Sequence, residues 1–196
     1  MKSIYQILAI AASLATISCN ESGRGNDSNL NEERNEAAVA SNTDKFAGKT
    51  QDDADFVYEV VASNYGEIKL AELANQRSRT PEIKKVALAM QTDHTASLNE
   101  LKMLAQAKAI SVPVQEPDDS KCKMENIAQE SGEEFDEEWC KEMMHMHDQN
   151  INRFEKRLDD TEDPELKAFI SKTLPVLKEH RESLKACNEK LKSKKS

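Results

Sequence analysis

Four long stretches of this chain repeat apolar residues at intervals of three and four, which places those residues on one face of an α-helix. The clearest stretch begins with Pro81, a residue well suited to the first turn of a helix, and its apolar face runs from Ile83 to Ala105. The hydroxyl of Thr80 is predicted to cap that first turn. No stretch of the chain shows the alternation typical of a strand. The predicted helices cover residues 52–77, 81–109, 135–158 and 163–192.

The connections between these helices predict how they are arranged. Helices 1 and 2, and helices 3 and 4, are joined by a few residues each, so each pair is predicted to form an antiparallel hairpin. A longer link carries Pro113 and Pro117, then a short helix over residues 120–131 that Gly132 ends in a left-handed conformation. The chain therefore predicts an all-α fold, a four-helix bundle over residues 51–192 with a long crossover between helices 2 and 3.

The N-terminus carries an apolar run that is too short to span a bilayer. It extends from Ile4 to Ala15, whereas a spanning helix needs about 20 apolar residues. Polar residues follow directly after Cys19, a pattern that resembles the signal of a bacterial lipoprotein with Cys19 as the lipidated residue. An ordinary secretory signal is the alternative. We therefore expect residues 1–19 to be a signal segment and the protein to be anchored by lipid in the cell envelope, on the periplasmic or outer-membrane side.

Residues 20–50 are rich in Asn, Glu, Ser and Asp and contain almost no large apolar side chain. Such a segment buries too little apolar surface to offset its conformational entropy, so we predict a disordered tether. The formal net charge of the chain is −9, and nucleic-acid binding depends on clustered Lys and Arg, so nucleic acid is not a predicted partner. The membrane is the one partner that the sequence predicts.

Each of the four predicted helices places one residue with metal-binding chemistry on its apolar face. These residues are Glu67, His94, His147 and His180. Within each hairpin the two residues differ in height by roughly 5–8 Å, because a helix rises about 1.5 Å per residue. Three imidazoles and a carboxylate suit one divalent ion such as Zn, Fe, Mn or Cu. A metal-free cluster, in which Glu67 pairs with a protonated histidine, explains the same pattern, and both interpretations stay open.

Two neighbours of these residues complete the prediction for the site. Asp93 precedes His94, and its carboxylate either orients a histidine from outside the site or is a solvated acid. His145 is two positions from His147, so it is predicted to face the opposite side of the helix and to take no part in the site.

Three cysteines follow Cys19, namely Cys122, Cys140 and Cys187. A hairpin around Gly132 favours a disulfide between Cys122 and Cys140, which leaves Cys187 as a buried thiol. A Cys140–Cys187 pair across helices 3 and 4 is the alternative. No Cys-x-x-Cys motif is present, so thiol–disulfide exchange is not predicted.

Residues 56–184 resemble the bacterial family known as domain of unknown function 4142, which is grouped with ferritin-like bundles. The matching segments are Asp55-Phe56, Gly66–Ala74, Val86-Ala87 with Met90–His94, Gly132 with Phe135-Asp136, His147, and Leu174-Pro175 with His180. The resemblance implies a ferritin-like fold, export from the cytoplasm, and Glu67, His94, His147 and His180 at positions where the family usually carries them. It implies no established activity.

The chain departs from the di-iron pattern of ferritins, which requires Glu-x-x-His on two helices. The residues three before the bundle histidines are Gln91, Met144 and Leu177. A site for one ion is therefore predicted, and ferritin-type iron oxidation is not.

No nucleophile–base pair and no phosphate-binding glycine loop is present, so catalysis is not predicted. We expect an exported lipoprotein whose bundle binds one divalent metal ion. The alternative is a metal-free cell-envelope module for interaction or stress response. A metal-dependent oxidase or peroxide-handling enzyme is a third hypothesis, on fold analogy alone.

Overall fold

The computed structural model describes residues 27–194, and within them the regular structure is entirely helical. The predicted all-α bundle is therefore confirmed. No helix in this described range is both long and apolar enough to cross a bilayer. The helices are α1 (Asp27–Lys45), α2 (Lys49–Arg77), α3 (Pro81–Ala107), α4 (Asp118–Gln129), α5 (Gly132–Asp160) and α6 (Pro164–Lys194).

The four long helices form two hairpins that pack side by side. The most extensive contacts are between α2 and α3 and between α5 and α6, and α2 also packs against α5 while α3 packs against α6. The bundle is therefore four-sided, with the α2–α5 edge opposite the α3–α6 edge. The short α4 lies in the crossover and contacts α2 and α5.

The buried apolar side chains form two clusters, one toward each end of the bundle. One cluster contains Phe56, Phe154 and Phe169, whose rings stack edge to face or at a tilt. The other contains Trp139, whose indole N–H donates to the backbone carbonyl of Leu70 at 2.8 Å. On each of the four long helices the two clusters are separated by a polar layer.

Two local predictions differ from the structure in an instructive way. Thr80 does stand at the N-cap position of α3, but its hydroxyl makes no capping hydrogen bond. It donates instead to the buried carboxylate of Asp136, at 2.5 Å, because that acid is carried inward by α5 and needs a donor. Gly132 has a positive φ of +62°, but it does not end α4, which stops at Gln129 with Glu130 as its C-cap; Gly132 begins α5 instead.

The prediction of a disordered tether over residues 20–50 is wrong for the part that the structure describes. Helix α1 occupies Asp27–Lys45, with Asn35, Ala38 and Asn42 buried. The amide of Asn42 donates to the carbonyl of Ser111 and accepts from its N–H, both at 2.8 Å. Polar side chains thus fix α1 to the crossover, which is why an apolar pattern was missing. The predicted signal and lipidated Cys19 lie outside the described residues.

The predicted disulfide between Cys122 and Cys140 is not formed, and Cys140 and Cys187 carry free thiols. Cys140 points into the core and is fully buried, whereas Cys122 lies half-buried on α4. Burial raises the pKa of the Cys140 thiol, so the reactive thiolate is disfavoured there.

Candidate metal centre

The polar layer of the bundle brings together all four residues predicted for the site. Glu67 on α2, His94 on α3, His147 on α5 and His180 on α6 are between 0% and 6% exposed. Each interrupts the apolar face of its helix at the boundary between the two core clusters. The three imidazole rings pack against one another, with centroids 5.3, 5.3 and 5.5 Å apart.

The hydrogen bonds around His94 determine which of its ring nitrogens carries the proton. The side-chain NH₂ of Asn64 donates to the carbonyl of Val60 at 2.9 Å, so its Oδ1 is the atom that faces His94. His94 Nδ1 donates to that oxygen at 2.9 Å and also lies 3.1 Å from Oε2 of Glu67. His94 Nε2 therefore carries a lone pair, and it is buried without a hydrogen-bond partner.

The same argument applies to the other two histidines. His147 Nδ1 donates to the backbone carbonyl of Met143 at 2.9 Å, which leaves the lone pair on Nε2. His180 Nε2 lies 2.9 Å from Oδ2 of Asp93 and donates to it, which leaves the lone pair on Nδ1. These two lone-pair nitrogens are 3.4 Å apart. One ring nitrogen from each histidine lies within 4.8 Å of those of the other two.

This arrangement suits the direct ligands of a metal ion. Zinc–nitrogen bonds are about 2.0–2.1 Å, so tetrahedral coordination places ligand nitrogens about 3.3 Å apart. The contact between His147 and His180 already has this spacing, and one nitrogen of each of the three rings lies within 4.8 Å of the others. Metal-binding histidines usually donate their second N–H to an oxygen, as all three do here. Three buried histidines could therefore hold a metal ion.

The electrostatics of the layer keep two of the imidazoles neutral. Burial, with the neighbouring His147 and His180, lowers the pKa of His94 well below its ordinary value. Burial also lowers the pKa of His147 to about 4, although its bond to the Met143 carbonyl opposes this. Neutral imidazole is the form that binds a metal, so both rings are ready to do so at neutral pH.

Glu67 does not face the point where the three ring nitrogens meet. Its Oε2 is 3.1 Å from Nδ1 of His94, and its Oε1 is 3.5 Å from Nδ1 of His147, both on the outer edges of the rings. Burial raises the pKa of Glu67 to about 8, against the opposing effects of Asn150 and Arg153. The geometry therefore gives Glu67 the position of a group that orients the histidines. The sequence predicted it instead as a direct ligand of the metal.

A hydrogen-bonded chain connects Glu67 with the surface at the α2–α5 edge. The Asn150 amide donates to Glu67 Oε1 at 3.2 Å and to the hydroxyl of Ser63 at 2.8 Å. Arg153 donates to Asn150 Oδ1 and to Glu59 Oε2, each at 2.6 Å. Sequence reasoning missed these contacts, although Asn150 occurs in the apolar repeat of its helix, one turn beyond His147.

Asp93 and His145 lie where the helical periodicity puts them. Asp93 is on the surface, and it contacts His180 across the α3–α6 edge instead of its neighbour His94. His145 is exposed on the outside of α5 and takes no part in the layer.

Comparison with curated proteins and with solved structures gives no match. A family model does match most of the chain. It includes all of α2 to α5, the C-terminal half of α1 and most of α6. The match includes every residue of the polar layer. The chain therefore belongs to the family described as domain of unknown function (DUF4142), whose model covers residues 37–187.

Proposed function

We propose that this protein binds one divalent metal ion in its bundle through His94, His147 and His180. The observation that carries the proposal is the buried Nε2 of His94, a lone pair without a hydrogen-bond donor. Its ring packs against two other imidazoles, whose N–H groups are already bonded to oxygen. A cation between the rings satisfies all three lone pairs at once.

A metal-free explanation satisfies fewer of these atoms. If His180 carried a second proton, on Nδ1, this N–H could donate a hydrogen bond to His147 Nε2, which is 3.4 Å away. The carboxylate of Asp93 would then balance the positive charge of the His180 ring. His94 Nε2 would still have no donor. An unpaired buried polar atom costs about 1–3 kcal/mol, which favours the metal-bound form.

The donor set also narrows the choice of ion. Three imidazole nitrogens suit zinc, copper, iron or nickel, whereas magnesium, calcium and manganese prefer oxygen ligands. Copper(II) stands highest in affinity for such nitrogen sites, and zinc binds imidazole without imposing a strict geometry. The buried carboxyl group of Glu67 lies 3.1 Å from Nδ1 of His94 and helps to hold this ring in place. The protein is proposed as a metal-binding module, with no residue assigned to catalysis.

The location follows from the N-terminal sequence, and it is also a proposal. A signal ending at Cys19 would place the bundle in the cell envelope on a lipid anchor, at the periplasmic or outer-membrane side. Metabolic labelling with a fatty acid tests this: wild-type protein should take up the label and partition into detergent, and Cys19→Ser should do neither. Equal labelling of both would exclude lipidation at Cys19.

Elemental analysis of the purified protein tests the metal site directly. We expect close to one zinc or copper ion per chain in the wild type and in His145→Ala, which removes an exposed histidine from the same helix as His147. His94→Ala should lose the ion while remaining helical by circular dichroism. An absence of metal in all three, after supply of zinc and copper, would support the metal-free cell-envelope module instead.

If metal is bound, oxygen or peroxide consumption decides whether the protein is also an enzyme.

A further inference from the structure

We propose that the metal ion enters and leaves the histidine site through the α3–α6 edge of the bundle, with Asp93 as the residue that first binds it. The inference rests on the proposed metal site and adds the route by which a divalent cation reaches it. It assigns to Asp93 a role in capture in addition to its contact with His180.

The route is indicated by how exposure falls from the surface to the site. The side chain of Asp93 is 48% exposed, that of His180 is 7% exposed, and that of His147 is fully buried. Asp93 Oδ2 lies 2.9 Å from His180 Nε2, so the acid and the histidine form one continuous set of metal-binding groups. At this edge the ring of His180 lies between the exposed carboxylate of Asp93 and the other two imidazoles.

The opposite edge of the bundle is closed by several layers. Asn150 donates to Glu67 and to Ser63, and Arg153 donates both to Asn150 and to Glu59. A Cβ placed on Gly66 would lie 3.4 Å from the Ser120 hydroxyl of α4, so α4 packs closely on α2 beside this network. A cation that entered here would have to break a chain of hydrogen bonds in series.

The α3–α6 edge requires far less rearrangement. The hydrogen bond to Asp93 holds the outer nitrogen of the His180 ring in place. A cation that binds the Asp93 carboxylate weakens this one bond. The ring can then turn and accept the cation with its own nitrogen before His147 and His94 complete the site. The negative charge of Asp93 attracts the cation, and such charges raise association rates by about tenfold or more at low ionic strength.

The variant Asp93→Asn separates capture from positioning, because the amide keeps an oxygen that can accept from His180 Nε2 but loses the charge. Glu100→Gln is a matched control. Glu100 lies on the same edge, pairs with Lys172 of α6 at 2.6 Å, and has a side chain that is 39% exposed. Both variants remove one surface carboxylate from α3 without altering the apolar core.

Stopped-flow absorption with Co²⁺ at low ionic strength, on the metal-free full chain in detergent, measures both rate constants. We expect the association rate constant to fall about tenfold in Asp93→Asn and less than twofold in Glu100→Gln, with the difference reduced at high salt. Faster dissociation with unchanged association in Asp93→Asn would mean that Asp93 only positions His180, and it would overturn the route. Identical kinetics in all three proteins would also overturn it and leave the metal site intact. A wild type that binds no Co²⁺ would overturn both proposals.

Discussion

His147 Nε2 and His180 Nδ1 lie 3.4 Å apart across α5 and α6, and each is the nitrogen that its ring does not use to donate to oxygen. Two lone pairs at this distance repel one another unless a proton or a cation lies between them. The burial that lowers the pKa of His147 makes protonation there unfavourable at neutral pH. With both rings neutral, the metal-free protein therefore holds them together at a cost that a bound ion would remove.

Metal binding should raise the stability of the folded protein. A ligand that binds only the folded state contributes about 2.7 kcal/mol at 100 times its Kd, which for a domain of this size raises Tm by about 5–10 °C. Thermal unfolding with and without Zn²⁺ measures the shift. His145→Ala should show the same shift as wild type, and His94→Ala should show none. A shift of equal size in His94→Ala would assign the stabilisation to a different site.

The stability of the metal-free protein should depend on pH through three buried groups. The pKa of His94 lies well below its ordinary value of 6.5, and burial lowers that of His147 from 6.5 to about 4. The unfolded chain therefore binds more protons below pH 6.5, and stability rises as the pH approaches that value. Burial raises the pKa of Glu67 from 4.5 to about 8, so the folded chain keeps a proton that the unfolded chain loses, and stability falls as the pH rises toward 8.

Two histidines outweigh one carboxyl group below pH 6.5, so the contribution of these groups to the free energy of unfolding should peak near that pH. Above pH 6.5, the free energy of unfolding should fall with a slope that approaches about −1.4 kcal/mol per pH unit, the effect of one proton. Urea unfolding in the presence of a chelator at several pH values measures this slope. Glu67→Gln should abolish the decline between pH 6.5 and 8. Parallel curves for the two proteins over that range would show that Glu67 does not titrate there.

Loss of the Asn64 side chain should weaken metal binding, although this side chain contacts His94 and not the ion. Asn64→Ala leaves His94 Nδ1 with Glu67 as its remaining oxygen acceptor and frees the ring to turn. Outer partners of metal-binding histidines typically contribute 10–100-fold in affinity, so we expect the Kd for Zn²⁺ to rise by about that factor. Competition with a chromophoric chelator measures it. Asn75→Ala is the matched control, because Asn75 also lies on α2 and bonds a residue of α3, Gln91, outside the polar layer. Equal loss in both variants would point to general destabilisation.

The sequence could predict the bundle and the composition of its polar layer, because helical periodicity reports which face a residue occupies. His94, His147 and His180 each fall within an apolar repeat, and the structure places each of them in the core. Periodicity does not report which atom of a side chain faces a neighbour. The outward position of Glu67 depends on ring orientations fixed by Asn64 and by the Met143 carbonyl, and these contacts form only after the helices pack.

The helix at the N-terminal end could not be predicted for a different reason. Helix α1 has a low apolar content, and Asn35 and Asn42 are among its buried residues. Its stability comes from hydrogen bonds to the crossover backbone, where Asn42 pairs with Ser111 and Asn35 accepts from the N–H of Val114 at 3.1 Å. A pattern of apolar residues carries no information about such contacts.

Removal of the Asn42 amide should therefore release α1 locally without unfolding the bundle. Asn42→Ala leaves the N–H and the carbonyl of Ser111 without the partner that they share, at a cost of about 1–3 kcal/mol. Hydrogen–deuterium exchange should become faster in α1 and in residues 109–115, while the amides of α2, α3, α5 and α6 keep their protection. Thr43→Ala is the control, since its hydroxyl bonds only within α1, to the carbonyl of Val39. Faster exchange throughout the bundle in Asn42→Ala would show that α1 is an integral part of the cooperative fold, because a helix held only by local contacts opens without disturbing the core that it covers.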